Sequence, residues 1–253
     1  MVRRYGLRDD QWEKREGLLP GRDETVGGTA KENRLFVEAV FSRYRAGIPW
    51  RDLPERFGDF RVIHTRHTRG STRGGWKRVF ERLASDPDTE DALLDSTIGR
   101  AHQHSAGAKR GDRTTECIGR SKGGLTTKIH APDEALGNPT GFHLTPGQAH
   151  DLAGADALLP GMDANTIIAD NACDADERVI EPLRKAGKTI VIPPKANRTV
   201  PRPYDEDLYK ARHLIENFCA TLKQFRALVT RYDKRATNFL GARSLAASIT
   251  WLK

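Results

Sequence analysis

Three acids in the chain occupy positions from which a carboxylate could hold a metal ion. Asp95 follows the apolar pair Leu93 and Leu94, and Asp170 follows Ile167, Ile168 and Ala169, so each ends a short β-compatible run. Glu216 lies in "YKARHLIENFCATLKQFRAL", residues 209 to 228. Taken singly, each has an ordinary reading. An aspartate leaving a strand is a common turn former or helix N-cap. Glu216 could pair with Arg212 at i, i+4 on a solvated helix face, an interaction of about 0.2–0.5 kcal/mol. Together they carry more negative charge than a protein buries without a cation. Mg²⁺ or Mn²⁺ is the fitting counter-ion, because hard cations take few carboxylates together with waters and phosphate oxygens. Two such ions can stabilise both the attacking and the leaving oxygen of a phosphoryl displacement.

The elements that would position these acids follow from hydrophobic period. Ala211, Ile215, Phe218, Leu222 and Phe225 recur at intervals of four and three, one core-facing stripe of a single helix. Tyr209, Arg212, Glu216 and Lys223 form a second stripe beside it, which puts Glu216 at the border of the core. From residue 91 onward, "ALLDSTIGRA", the two arms of "GLTTKIHAPDEALGNPTGFHLTP", "ANTIIADNA" and "KTIVIPPK" read as strands. "HDLAGADALL" and "ADERVIEPLRKAG" read as helices between them. The alternation predicts an α/β fold with helices covering a mixed sheet over residues 91–253. Residues 1–85 read differently, as short helices: "DDQWEKREGLL", "KENRLFVEAVFSRYRAG", "WRDLPERFG" and "WKRVFERLAS". "SDPDTED" is the expected linker between the two domains.

Charge assigns a partner to the first domain. Residues 41–82 hold eleven Lys and Arg against four Asp and Glu, nearly all of the net charge of +8. Phosphate is the natural counter-charge for such a block, although a solvated basic face has the same composition. Within it, a short helix, a turn at Gly58 and the basic segment "DFRVIHTRHTRGSTRGG" resemble a helix-turn-helix, with Gly70, Gly74 and Gly75 expected to fray the second helix. Arg61, Arg66, Arg69, Arg73 and Lys77 are the candidate DNA contacts there. Arg120 and Lys122 in "GRSKGGLT" are further candidates, with a plain hairpin turn as the competing reading.

Other residues carry weaker readings. Cys117, Cys173 and Cys219 lack the spacing of zinc sites or disulfide frameworks and read as reduced thiols. The N-terminus has no apolar signal region and no eighteen apolar residues run together, so the expectation is a cytoplasmic protein with no membrane partner. His102 and His104 would share a face on a strand but have no third ligand in sequence, and His150 and Asp151 could form a dyad or cap the next helix. Trp50, Trp76 and Trp251 are expected in the core or at an interface.

The Tyr209, Arg212, Glu216 and Lys223 spacing resembles the YREK signature of bacterial insertion-sequence transposases of the DDE type. "LLDSTI", "GRSKGGLTTKIHA", "LTPGQAHD", "IADNACDAD", "VIPPKANR" and "LKQFRALVTRYDK" look like the insertion-sequence-five group of those enzymes, and the likeness extends to "ENRLFVEAV" and "GIPWRDLPERFG". The chain departs from the group at Asn171, at Cys173 and within "IHTRHTRGSTRGGW". The resemblance implies an RNase H-like catalytic domain preceded by a small all-helical, helix-turn-helix-like DNA-binding domain. It also implies a metal triad at Asp95, Asp170 and Glu216, with Arg212 and Lys223 positioning phosphates. A transposase of this kind would bind double-stranded DNA at the element's terminal inverted repeats, cut it, and join the ends to target DNA, as a nucleoid-associated homo-oligomer using two Mg²⁺ or Mn²⁺ ions. A catalytically inactive DNA-binding remnant, or an RNase H-like hydrolase without strand joining, would share these features.

Overall fold

The computed structural model describes residues 6–19, 32–85, 90–107 and 115–252. Most of the expected linker, and the extreme N-terminus, lie outside the described residues. In chain order come helices α1 (Asp9–Glu16), α2 (Asn33–Ala46), α3 (Phe60–Thr72) and α4 (Gly75–Leu83). Strands β1 (Asp91–Ala101), β2 (Gly119–Ser121), β3 (Gly124–Glu134) and β4 (His143–Pro146) follow, then α5 (Leu152–Leu158), β5 (Thr166–Ala169), α6 (Glu181–Lys185) and β6 (Thr189–Val191). Helices α7 (Glu206–Tyr209), α8 (His213–Lys223), α9 (Arg226–Val229) and α10 (Ala236–Ala247) complete the order.

The chain forms two compact units, one of residues 1–85, 102–109 and 222–253, the other of residues 86–101 and 110–221. The first unit therefore includes C-terminal residues that the sequence pattern groups with the strands. The reason is visible in α10, which is apolar or small on most sides and cannot stand in water. Phe239, Ala242, Leu245 and Ala247 are all nearly or fully buried, and Asn238 Nδ2 donates to Thr68 Oγ1 of α3 at 3.1 Å. Helix α10 packs on α2, α3 and α4, whose Phe36, Val40, Tyr44, Trp76, Val79 and Phe80 are buried, the ring of Phe36 stacking on Trp76 at 5.7 Å.

The expected short helix at "WRDLPERFG" is instead two single 3₁₀ turns, Trp50–Asp52 and Glu55–Phe57. Pro49 and Pro54 precede them, and proline starts a turn well but breaks a continuing helix. After Gly58, Asp59 caps α3 by accepting from the Arg61 N–H at 2.8 Å. The glycines that should have frayed α3 serve it. A Cβ at Gly70 would lie 3.1 Å from Trp76 Nε1, so its absence admits α4 at close range. Gly74 takes φ +68, the left-handed conformation that turns the chain from α3 into α4 at little steric cost.

In the second unit the strand order is β2-β3-β1-β5-β6, with β4 also paired to β3. Strands β1, β5 and β6 run parallel, and β3 is antiparallel to β1, β2 and β4. This is the expected mixed sheet with flanking helices, behind an N-terminal helical region. The period-two alternation of strands divides the core. Ala92, Leu94, Ile167 and Ala169 face α5 and α6 with Leu152, Ala155 and Leu183. Leu93, Ile168 and Val191 face the other way, against Ile215 of α8 with Tyr204 and Tyr209 beside it.

The single helix expected over residues 209–228 is segmented. It begins earlier, at Glu206, tightens into a 3₁₀ turn at Lys210–Arg212, continues as α8 and ends at Lys223. Phe225 lies beyond the end in an extended conformation, because there it buries its ring against Phe41 at 6.3 Å.

Candidate active site

Strand parity places the two aspartates. Leu93 pairs with Ile168 and Leu94 with Ala169 across the parallel β1/β5 ladder, which ends there. Asp95 shares the face of Leu93 and Asp170 that of Ile168, so both acids leave the ladder toward the side covered by α8. Asp170 takes up the chain reversal after β5, its Oδ1 accepting from the Ala172 N–H at 3.0 Å. Glu216 follows the fully buried Ile215 on α8, and is itself exposed. The charges meet at Asp95: burial raises its pKa above the ordinary value of 3.8, Arg212 opposes this, and Asp170 and Glu216 both push it further up.

Arg212 does not pair with Glu216. Its Nη2 lies 3.2 Å from Asp95 Oδ1, with both side chains about four-fifths buried, and its Nη1 donates to the Tyr209 hydroxyl at 2.9 Å. The 3₁₀ turn between α7 and α8 sets Tyr209 and Arg212 three residues apart on one side, so the tyrosine ring steers the guanidinium onto the strand aspartate. Lys223 is the exposed last residue of α8 and belongs to the first unit.

A fourth acid on the same face was not singled out by the sequence pattern. Asp133 on β3 pairs with Leu93, two residues along from the Ala131–Asp95 pair, and is fully buried. Among the described residues neither of its carboxyl oxygens has a hydrogen-bond partner. Burial first, then the charges of Glu134 and Asp95, push its pKa well above the ordinary value, which favours the neutral carboxylic acid. Its signal in the sequence is an aspartate at a core-facing parity position of "KIHAPDEAL".

The donor chemistry of the triad, hard carboxylate oxygens already in mutual repulsion, suits a divalent cation. Among the described residues no group of three or more His, Cys, Asp or Glu is gathered closely enough to hold one, and Asp95 has Arg212 as its present counter-charge.

The remaining candidates sort plainly. Asp151 stands at the head of α5 but is bonded to the Ser96 hydroxyl and to Lys128 Nζ at 3.1 Å, while His150 Nδ1 accepts from the Leu152 N–H at 3.3 Å. His102 ends outside the strand, its ring stacked on Tyr232 at 4.7 Å and edge-on to His104 at 4.7 Å. "GRSKGGLT" is the β2–β3 hairpin, with Ser121 opposite Gly124, Arg120 exposed on β2 and Lys122 exposed at the tip. Cys173 is buried beneath Asp170 in the α5/α6 core, its thiol pushed up to about 12 chiefly by burial. Among the described residues the three cysteines form no disulfide.

In the first unit, Arg61, Arg69 and Arg73 are exposed on or at the end of α3. Lys77 is exposed and pairs with Glu81 at 3.4 Å. Arg66 is held inward, its guanidinium 4.0 Å above the Phe36 ring and bonded to Asn33. Arg66, Arg69, Arg73 and Arg78 surround a cavity of about 260 Å³ floored by Phe36 and Trp76.

Residues 86–251 match the family described as "Transposase DDE domain", and residues 7–80 match "Putative transposase of IS4/5 family". The chain belongs to the DDE transposase family. This family generally uses divalent metal ions. A "Putative transposase for insertion sequence element IS6501" of Brucella ovis is 39% identical over 132 residues, 51% of this chain and 100% of the relative. A protein of Sinorhizobium fredii, y4sN, is 47% identical over 105 residues, 42% of this chain and 84% of the relative. Among solved structures, a "pre-cleavage Mos1 transpososome" aligns over 91% of this chain and 81% of that chain, at 12% identity and a TM-score of 0.28, too slight a likeness to bear on function. Among the described residues no helix is long and apolar enough to cross a membrane.

Proposed function

We propose that this chain is a working DDE transposase that binds the ends of its own insertion sequence, cuts phosphodiester bonds there, and joins the freed 3′-hydroxyl to target DNA. The observation that carries the reading is the convergence on Asp95: strand register aims Asp95 and Asp170 at the side covered by α8, and the charge of Glu216 is felt there. In the proposal Asp95, Asp170 and Glu216 hold Mg²⁺ or Mn²⁺, one or two ions. Such an ion, when bound, activates a water and offsets charge on the phosphate oxygens. Arg212 is the positioning residue: buried against Asp95 and steadied by Tyr209, it favours the ionised form of a strand-borne carboxylate against the effect of its burial. Lys223 contacts phosphate rather than the acids, as do Arg61, Arg69, Arg73 and Lys77 on the helical unit and Arg120 and Lys122 on the hairpin. The protein would act as a homo-oligomer on DNA.

The test is cleavage of a supercoiled plasmid carrying the DNA that flanks the coding sequence. Nicking that requires Mg²⁺ or Mn²⁺ and yields joined products supports the proposal. Nicking that persists in EDTA overturns the metal assignment. Binding of the flanking DNA with no nicking in either ion identifies the inactive remnant, and nicking without joined products identifies a plain hydrolase.

A further inference from the structure

Helix α3 has two unlike sides. At 100° per residue, Ile63, His67 and Gly70 face inward, while Arg61, Thr72, Thr65, Arg69, Val62 and Arg73 fill an outward arc of about 120°. All six are exposed. The arc contains three arginines and no acid. Val62, 63% exposed, lies toward one edge of the arc, between the directions of Arg69 and Arg73, and is the one exposed large hydrophobic among the described residues of α1 to α4. This branched apolar side chain, set between two arginines of a cationic helix face, is left uncovered by the described residues.

We infer that the outward face of α3 reads base edges in the major groove, with Val62 seated against the 5-methyl group of a thymine. The inference rests on the DNA-binding reading above and deepens it by naming a base-reading residue. Charge selects the occupant: the flanking Arg61 and Arg73 match phosphates on either side of a groove, whereas a second copy of so basic a face would be repelled. Position agrees, because the N-terminal turns of a recognition helix reach the base edges, and Val62 is its third residue. Chemistry completes the match. In the major groove thymine presents one apolar group, its methyl, and small apolar side chains recognise it. Arg69 lies 20° from Val62 on the arc and can donate to a neighbouring guanine, while Thr65 offers a second methyl.

The experiment replaces single thymines by deoxyuridine, which removes only the methyl, in duplexes taken from the two flanks of the coding sequence. Binding is measured for the full chain and for Val62→Ala. At one thymine in each end, deoxyuridine should weaken the wild type about three- to fivefold, the effect of one methyl group losing its apolar contact. Val62→Ala should weaken binding to the unmodified duplex by a similar factor and show no further loss with deoxyuridine at that thymine. If every deoxyuridine duplex binds the wild type as tightly as its parent, or if Val62→Ala keeps the full penalty, the inference is overturned while the DNA-binding reading stands. If the wild type shows no preference for flanking DNA over random duplex, both fall. Sedimentation without DNA closes the remaining route: a lower mass for Val62→Ala than for wild type would give this face to a second copy of the chain and overturn the inference.

Discussion

Replacing Arg212 by Gln removes the counter-charge of Asp95 while keeping most of the side chain's bulk. At 3.2 Å the gross attraction is about 5 kcal/mol in an effective dielectric of about 20. Desolvation of both partners cancels much of that, leaving a coupling of about 1–3 kcal/mol for a pair this far from water. The variant leaves Asp95 buried among like charges, so most of its cost should vanish when Asp95 is made Asn. Urea unfolding of the wild type, Arg212→Gln, Asp95→Asn and the double variant at pH 7 measures this directly. Arg212→Gln alone should lose about 2 kcal/mol, and within the Asp95→Asn background less than about 0.5 kcal/mol. The pH dependence has a definite sign. Asp95 binds its proton more tightly when folded than at its ordinary value of 3.8, so its contribution to stability falls as pH rises from there through the folded value. Losing Arg212 raises the folded value and extends the fall to higher pH. Equal losses in both backgrounds would refute the pairing and return Arg212 to a solvated helix face.

Glu216→Gln preserves α8 and, being exposed, should unfold at the wild-type urea concentration, yet cleavage of flank-bearing plasmid should drop by at least about a hundredfold while duplex binding persists, since each 1.36 kcal/mol of lost transition-state stabilisation is tenfold in rate. Near-normal cleavage would remove Glu216 from the site. Arg69→Ala should lower the slope of log affinity against log salt by about one unit, whereas Arg66→Ala, whose guanidinium is spent on Phe36 and Asn33, should reduce thermal stability with little change of slope; isothermal titrations over a salt series separate them. Asp133→Asn should make stability less dependent on pH above about 4: the unfolded chain ionises Asp133 there while the folded chain keeps it protonated, so the wild type loses up to about 1.4 kcal/mol per pH unit across that window. An unchanged pH profile would show that Asp133 has an ionised form compatible with the fold.

The sheet was legible in the sequence because buried parallel strands must be short apolar runs, and Ile167, Ile168 and Ala169 or Leu93 and Leu94 admit little else. The same parity argument that ends those runs in aspartates gave the two strand-borne acids. What was not legible depended on distant partners. Nothing near Gly70 in sequence shows that Trp76 requires its bare Cα, so glycine looked like a weakness of α3. Phe225 kept helical spacing with Leu222, yet the pull of Phe41 took it out of the helix. Arg212 had a local partner at i+4 and took a remote one at Asp95, because a buried aspartate binds a guanidinium more strongly than an exposed glutamate does. Asp133 was passed over because period-two alternation marks it as core, and an unpaired acid in the core is a rare choice.

The return of α10 to the N-terminal helices affects how the molecule is made. Synthesis proceeds from the N-terminus and domains fold as they emerge, but the helices of residues 33–83 must wait for residues 236–247, made long after them, before their core is closed. Until then α2, α3 and α4 lack the helix that carries the buried Phe239 and Leu245. A gene interrupted anywhere before residue 222 would therefore yield no competent helical fragment to occupy element ends, and cleavage and binding would be lost together rather than one after the other.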